Sequence, residues 1–319
     1  MTNRIVFIAW QLTTRTRTLA QHFSADIISF EKHFANPIFR MFHYLLLALI
    51  TLHKLFSNKY QIIFVQIPPI QSAVVALFYM QLTKAKIIFD THSIIFFPQR
   101  FHQKLYLQLY RYLIKYPTLN IVHNQKILNY HYLKKSKTVM LEDKLPFNLC
   151  PKSAINHKKK IGIICSYHQD EPINEIFKAA ESLPEYNFYF TGKSEKIPKP
   201  IAANINFTGY LSDNDYEKFL AGVDLIIVLT KRPDTVLCGA YEAVSIGRPL
   251  ITSNTDALRL HFYKGTIHTT NNYQAIINAI KTAFTNYQQL SAEIIELRRL
   301  KETDWQKQFE VVNNYLCKQ

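Results

Sequence analysis

The first 161 residues of this 319-residue chain contain no glycine; all seven glycines (Gly162, Gly192, Gly209, Gly222, Gly239, Gly247, Gly265) come later. Glycine-rich phosphate loops and dinucleotide fingerprints need residues without a Cβ beside a phosphate, so the first half holds neither. A glycine-dependent phosphate site belongs to the second half. Cysteine is scarce too. Cys150, Cys165, Cys238 and Cys317 have neither CxxC nor metal-ligand spacing, which speaks against a disulfide framework and suits reduced thiols in a cytosol. The twelve histidines show no HxxxH spacing, so no metal site is expected. Long apolar runs are missing. The most apolar, 44–52 (YLLLALITL), is closed by His53 and Lys54, far short of the roughly 18–20 residues that span a bilayer. The first fifteen residues have too short an apolar stretch for a secretory leader. Acidic residues are few, 23 against 38 Lys plus Arg, and the shortage is local. Residues 1–150 carry 18 basic and 5 acidic side chains, net +13, whereas 151–319 carry 20 and 18, net +2.

What is present points to two domains, since the length is about twice a typical domain of roughly 150 residues. Apolar residues at 48% against 19% charged suffice for two cores. Short apolar runs recur at 4–10, 62–66, 86–90, 119–123, 160–165, 186–191, 205–208, 225–229 and 249–253. They lack polar alternation, as strands covered on both faces by helices do. Amphipathic stretches separate them, at 17–23, 39–56, 71–82, 174–182, 213–220 and 272–284. The pattern predicts an α/β chain with two Rossmann-like, doubly wound domains, 1–150 and 151–319, facing across a cleft lined by the carboxyl ends of their strands. The boundary falls in the polar, Pro-bearing segment 142–160.

The most informative stretch is 225–257, LIIVLTKRPDTVLCGAYEAVSIGRPLITSNTDA. A buried strand ends at Leu229. A loop then carries Lys231, Arg232, Asp234 and Thr235, and a helix opens near Gly239. Unpaired amides and the helix dipole favour a phosphate there, and Gly239 would let a ligand approach the backbone. Asp234 and Glu242 can each accept hydrogen bonds from sugar or ribose hydroxyls. Equally, Asp234 or Thr235 can cap the helix, with Glu242 on a solvated face.

This segment resembles the donor-binding region of GT-B glycosyltransferases of the family 4 (group 1) type, whose signature is two acidic residues spaced E-x7-E. Here it reads Asp234-x7-Glu242 and continues EAVSIGRPLITS, with Asp in place of the first Glu. The preceding FTGYLSDNDYEKFLAGVDLIIVL, together with CSYHQDEPINEIFKAAESLPEYNFYFTG, is similar to an uncharacterised bacterial subgroup. The resemblance covers 160–270 well and the first half more loosely. It implies a GT-B fold and a metal-independent hexosyltransferase with no cofactor beyond its substrate, a nucleotide diphosphate sugar. It implies that Glu242 binds the nucleotide ribose and that Asp234 sits near the donor sugar or phosphates. Relatives take an Arg and a Lys from the loop after the first strand of the second domain. That loop here, CSYHQDEP, offers only His168, so Arg232, Lys231, Ser166 and helix-end amides are left to hold the phosphates.

In the first half, Asp90-Thr91-His92 ends the strand KIIF. A carboxylate and an imidazole two apart can act as base and orienter for an acceptor hydroxyl, and a simple turn would look the same. The D-x-H pattern and Val65-Gln66-Ile67-Pro68-Pro69 are similar to acceptor-side loops of the same enzymes. In TTRTR, Arg15 or Arg17 could meet an anionic acceptor or be solvated. Residues 96–116 interleave Arg100, Lys104, Arg111 and Lys115 with Phe and Tyr. Such a helix suits an anionic membrane surface; it also suits a solvated face packed on the sheet. Nucleic acid is not the expected partner, since no RNP, KH or zinc pattern accompanies it. The expectation is a cytoplasmic enzyme, peripheral at the inner face of the membrane, with a lipid-linked or surface-polysaccharide precursor as acceptor. A nucleotide-sugar epimerase of the same fold and a non-catalytic basic binding module are the rivals.

Overall fold

The computed structural model describes residues 4–30, 37–98, 101–130, 132–146, 159–193 and 202–317, without the side chains at 37, 38, 40, 41, 135 and 317. The chain divides into two compact units, Met1–Lys144 with Trp305–Gln319, and Leu145–Asp304.

The first unit contains β1 (Ile5–Ala9), α1 (Thr14–His22), β2 (Asp26–Ser29), α2 (Pro37–Asn58), β3 (Ile62–Ile67), α3 (Ile70–Thr83), β4 (Lys86–Thr91), α4 (Phe101–Leu113), β5 (Leu119–Val122), α5 (Gln125–Leu128) and β6 (Thr138–Met140). Its six strands form a parallel sheet in the order β2-β1-β3-β4-β5-β6. The apolar runs lack alternation because both sheet faces are covered. Val6, Ile8, Ile63, Val65, Ile87 and Phe89 point to the face covered by α2, α3 and α4, where Leu47, Leu55, Ala73, Ala76 and Tyr110 meet them. Phe7, Phe64 and Ile88 point the other way, against Leu19 and Ala20 of α1, and the Phe7 and Phe64 rings stack with centroids 4.2 Å apart.

The second unit contains β7 (Lys160–Ile163), α6 (Ile173–Glu181), β8 (Asn187–Thr191), β9 (Ile205–Gly209), α7 (Asp213–Gly222), β10 (Leu225–Val228), α8 (Cys238–Ile246), β11 (Leu250–Ser253), α9 (Asp256–His261), β12 (Thr266–Thr269), α10 (Tyr273–Thr285) and the first part of α11 (Tyr287–Cys317), up to Asp304. Its strands are also parallel, in the order β12-β11-β10-β7-β8-β9. This is the doubly wound dinucleotide-fold order, whose direction reverses between its first and fourth strands, here β7 and β10. Ligands of such sheets bind outside the carboxyl ends at that reversal. In the first unit the corresponding point lies between β1 and β3.

Two assignments change: the division falls at Lys144/Leu145, not at 150/151, and the end of the chain changes unit. The sequence placed 151–319 in the second domain, yet α11 from Trp305 onward belongs to the first unit. Trp305, Val312 and Leu316 join the core on the α1 side of the first sheet. Trp305 Nε1 donates to the Glu142 carbonyl at 3.2 Å, and Lys86 Nζ donates to the Leu316 carbonyl at 2.7 Å. The helix closes a sheet face that α1 alone leaves partly open.

Candidate functional site

In the first unit, Asp90 ends β4 and is almost wholly buried, but its carboxylate is occupied. Arg15, in the first turn of α1, donates Nε to both Asp90 oxygens (3.0 and 3.1 Å) and Nη2 to Oδ1 at 2.9 Å. The same guanidinium donates Nη1 to Asp143 Oδ1 at 2.7 Å and Nη2 to the Leu141 carbonyl at 2.9 Å. Arg15 is therefore neither a solvated charge nor open to an anionic acceptor, the two alternatives its sequence position offered. It is the buried counter-ion of two carboxylates at the ends of β4 and β6. Burial pushes the Asp143 carboxyl up, but Arg15 and His123 outweigh it and hold it below its ordinary value.

His92 stands next to this pair, its Nε2 3.9 Å from Asp90 Oδ2, buried and without a hydrogen-bond partner. Burial lowers its pKa more than Asp90 raises it, so the ring is neutral at pH 7. The His123 ring lies 6.1 Å away, and burial pushes its pKa down to about 4. The arrangement thus divides the two residues that the sequence paired: Asp90 is committed to Arg15, and His92 retains a nitrogen able to take a proton. His123 and Asp143 were missed as site residues, and Arg15 was named only for an anionic acceptor. Their signal was the position of His123 just after β5 and of Asp143 just after β6, both at carboxyl ends of strands.

Gln66 braces the loop beside them. Its Oε1 accepts from Thr16 Oγ1 at 2.7 Å and Thr13 Oγ1 at 3.2 Å, and its Nε2 donates to the Gln11 carbonyl at 2.9 Å. Pro68, Pro69, Gln11, Tyr44, Ile95 and Tyr106 are among the walls of a pocket of about 230 Å³ at this end of the sheet.

In the second unit, the loops after β7 and β10 meet at the reversal point. Asp170 accepts from Thr230 Oγ1 at 2.8 Å, pairs with Arg232 Nη2 at 3.0 Å, and also contacts His168. Burial would raise its pKa; the bonds from Thr230 and His168, with the charge of Arg232, lower it overall. The Lys231 amide donates to the Asp170 carbonyl at 2.7 Å, and its Nζ reaches the Gln169 carbonyl at 3.4 Å. Ser166 donates N–H and Oγ–H to Glu171 (3.0 and 2.9 Å), which also accepts from the His168 amide at 3.1 Å. Ser166, Lys231 and Arg232 thus come together, as the sequence placed them. They come together around two carboxylates, Asp170 and Glu171, that it left without a role.

Asp234 is buried and Thr235 half-buried on the approach to α8. Neither caps that helix: the N-cap is Leu237, with no side-chain bond to the first turn. Gly239 serves packing. An added Cβ would lie 2.9 Å from Ile164 Cγ2, so the glycine seats α8 against the end of β7. The sequence had given this lack of a side chain to ligand approach. Glu242, one turn into α8, accepts a bond from the Tyr216 hydroxyl at 2.6 Å. Burial raises its pKa, and the Tyr216 bond opposes that. Among the described residues no cluster of three or more His, Cys, Asp or Glu is placed to hold a metal ion.

No family model matches the chain, and no curated protein matches it in sequence. Solved structures do match. Anabaena HepE in complex with UDP and glucose superposes with a TM-score of 0.75 at 13% identity, covering 98% of this chain and 100% of that one. The fold is GT-B. Sucrose-phosphate synthase from Thermosynechococcus elongatus gives 0.78 at 12% identity, covering 98% and 99%. A glycosyltransferase from Rickettsia africae gives 0.70 at 14% identity, covering 99% of both chains. The similarity to GT-B glycosyltransferases noted in the sequence therefore holds for the fold over nearly the whole length.

Proposed function

We propose that this protein is a glycosyltransferase that moves a hexosyl group from a nucleotide diphosphate sugar to a hydroxyl acceptor. The second unit takes the donor and the first takes the acceptor. The observation that carries the reading is the set of side chains at the β7/β10 reversal: Glu242 one turn into α8, Asp234 buried before it, and Arg232 and Lys231 on the same loop. Similar structures support it, since HepE was solved with UDP, with UDP and glucose, and with UDP-glucose.

In this scheme Glu242 accepts hydrogen bonds from the ribose hydroxyls. Asp234 and Thr235 hold the sugar side of the donor. Arg232, Lys231, Ser166 and the uncapped amides at the start of α8 face the departing diphosphate, with no metal required. Arg232 meets it already paired to Asp170, so the diphosphate competes with a carboxylate for that cation. His92 accepts the proton of the acceptor hydroxyl, while Arg15 holds Asp90 beside it. The test is calorimetry with UDP. Glu242→Ala should weaken binding by about 1.5–3 kcal/mol for each charge-assisted bond lost. A folded variant that binds UDP as the wild type does would remove Glu242 from the donor site.

The acceptor in this proposal is lipid-linked or a surface-polysaccharide precursor, met at an anionic membrane surface. Among the described residues no helix is long and apolar enough to cross a membrane. However, α3 packs against both α2 and α4, and the outer faces of these helices expose Phe42, Leu45, Leu49, Phe78, Leu82 and Leu105. Exposed large apolar side chains gathered on neighbouring helices are the kind of surface that meets a membrane or a partner. Lys104, Arg111 and Lys115 are exposed on or just after α4, Arg111 lying over the Tyr132 ring at 4.7 Å, and Arg100 lies outside the described residues. Acidic lipid fits this combination of apolar faces and cations in a unit of strongly positive charge. Cosedimentation with acidic vesicles should be strong at low salt and weaker at high salt, and Phe42→Ser with Phe78→Ser should reduce it at both. Failure to bind acidic vesicles at low salt would make a soluble acceptor the better reading.

A further inference from the structure

Glu242 does not stand alone in α8. The hydroxyl of Tyr216, 26 residues earlier on α7, donates to Glu242 Oε2 at 2.6 Å. That is the length of a charge-assisted O–H···O⁻ bond. The start of α7 is itself fixed. Ser212 accepts from the Asp215 amide at 3.3 Å, its hydroxyl donates to Asp215 Oδ2 at 2.7 Å, and the Tyr216 amide donates to the Ser212 carbonyl at 2.8 Å. The half-buried Tyr216 ring also lies beside Phe219, centroids 6.5 Å apart, and Phe219 packs where a Cβ on Gly162 of β7 would sit.

We propose that Tyr216 is a positioning residue for the donor site: it pins one oxygen of Glu242 and leaves the other to receive a ribose hydroxyl. The inference rests on the assignment of Glu242 to the donor ribose. Glu242 needs such help because burial favours its protonated form, and a protonated carboxyl is a poor acceptor for a diol. Tyr216 counters this with a bond made to the ion. Its own hydroxyl is pushed up by burial and by Glu242, so it remains a donor across the working pH range. Among the described residues, the thiols of Cys165 and Cys238 also face Tyr216. Burial pushes the Cys165 thiol up to about 12, so it is uncharged.

The experiment is UDP binding by calorimetry across pH for wild type, Tyr216→Phe, Glu242→Gln and the double variant. Tyr216→Phe should lose affinity about 10-fold or more at pH 7. It should also lose binding at a higher pH than wild type as pH falls, because Glu242 then protonates earlier. Glu242→Gln supplies the baseline of the ligand's own titration, and adding Tyr216→Phe to it should change nothing further. Wild-type affinity and pH dependence in Tyr216→Phe, with Glu242→Gln impaired, overturns the role of Tyr216. Wild-type affinity in Glu242→Gln overturns instead the donor assignment beneath it. A second readout needs no Tyr216 variant. In protein carrying 13Cζ-labelled tyrosine, Glu242→Gln should shift the Tyr216 signal, and an unchanged signal overturns the bond.

Discussion

Replacing Arg15 with alanine should destabilise the first unit by about 3–5 kcal/mol, because it leaves two carboxylates without their shared cation. Asp90 has a side-chain exposure of 1% and Arg15 of 6%, so water cannot substitute for the lost guanidinium. Asp143 loses its 2.7 Å bond at the same time. The effect has a pH signature. In the wild type Arg15 helps hold the Asp143 carboxyl below its ordinary value. The stability from this ionised pair is complete above the unfolded carboxyl value and is lost as pH falls through the lower folded one. In Arg15→Ala the main opposition to burial is gone, the Asp143 carboxyl protonates at higher pH, and the deficit should narrow on acidification. Urea unfolding followed at pH 7 and pH 5 reads both effects, with the two units analysed as separate transitions. A variant that unfolds at the wild-type midpoint at pH 7 would mean that the cluster contributes nothing.

His92→Ala should lower turnover by about 10²–10⁴ while leaving donor binding intact, if His92 takes the acceptor proton. Asp90→Asn is the less informative variant, since it also breaks the bonds to Arg15 and confounds chemistry with folding. The rate should require neutral His92. Burial lowers its pKa from 6.5, so the acid limb of the wild-type rate profile should lie below that value and disappear in any residual activity of His92→Ala. Steady-state rates across pH, with UDP affinity measured on the same preparations, check both points. A folded His92→Ala with normal turnover would move the base elsewhere, and His123, one strand over, becomes the next residue to replace.

Local sequence goes a long way here because parallel sheets covered on both faces write themselves as unbroken apolar runs. The nine runs 4–10 to 249–253 each coincide with a strand of the structure. The three missed strands are Asp26–Ser29, Thr138–Met140 and Thr266–Thr269. All are edge strands of three or four residues, largely half-buried or exposed. These short, half-covered strands lack the uninterrupted run, so periodicity does not reveal them, although β9 at the other edge of the second sheet was legible.

Charge pairing was the least legible level. The sequence by itself determined the α/β class, the two modules with their unequal charge, the strand ends where candidate residues gather, and the loop-to-helix passage carrying Lys231, Arg232, Asp234 and Glu242. Each follows from composition or from neighbours within a few residues. Only the tertiary structure decided which partner each charge has: Arg15 with Asp90 and Asp143, 75 and 128 positions away, Arg232 with Asp170, and Tyr216 with Glu242. It also decided that Gly239 serves the packing of α8 on Ile164, and that residues 305–319 return to the first unit. The physical reason is one of range. Hydrophobic burial leaves a period in the chain that can be read locally. A hydrogen bond or ion pair is set by distances of about 3 Å between side chains that only the folded sheets bring together.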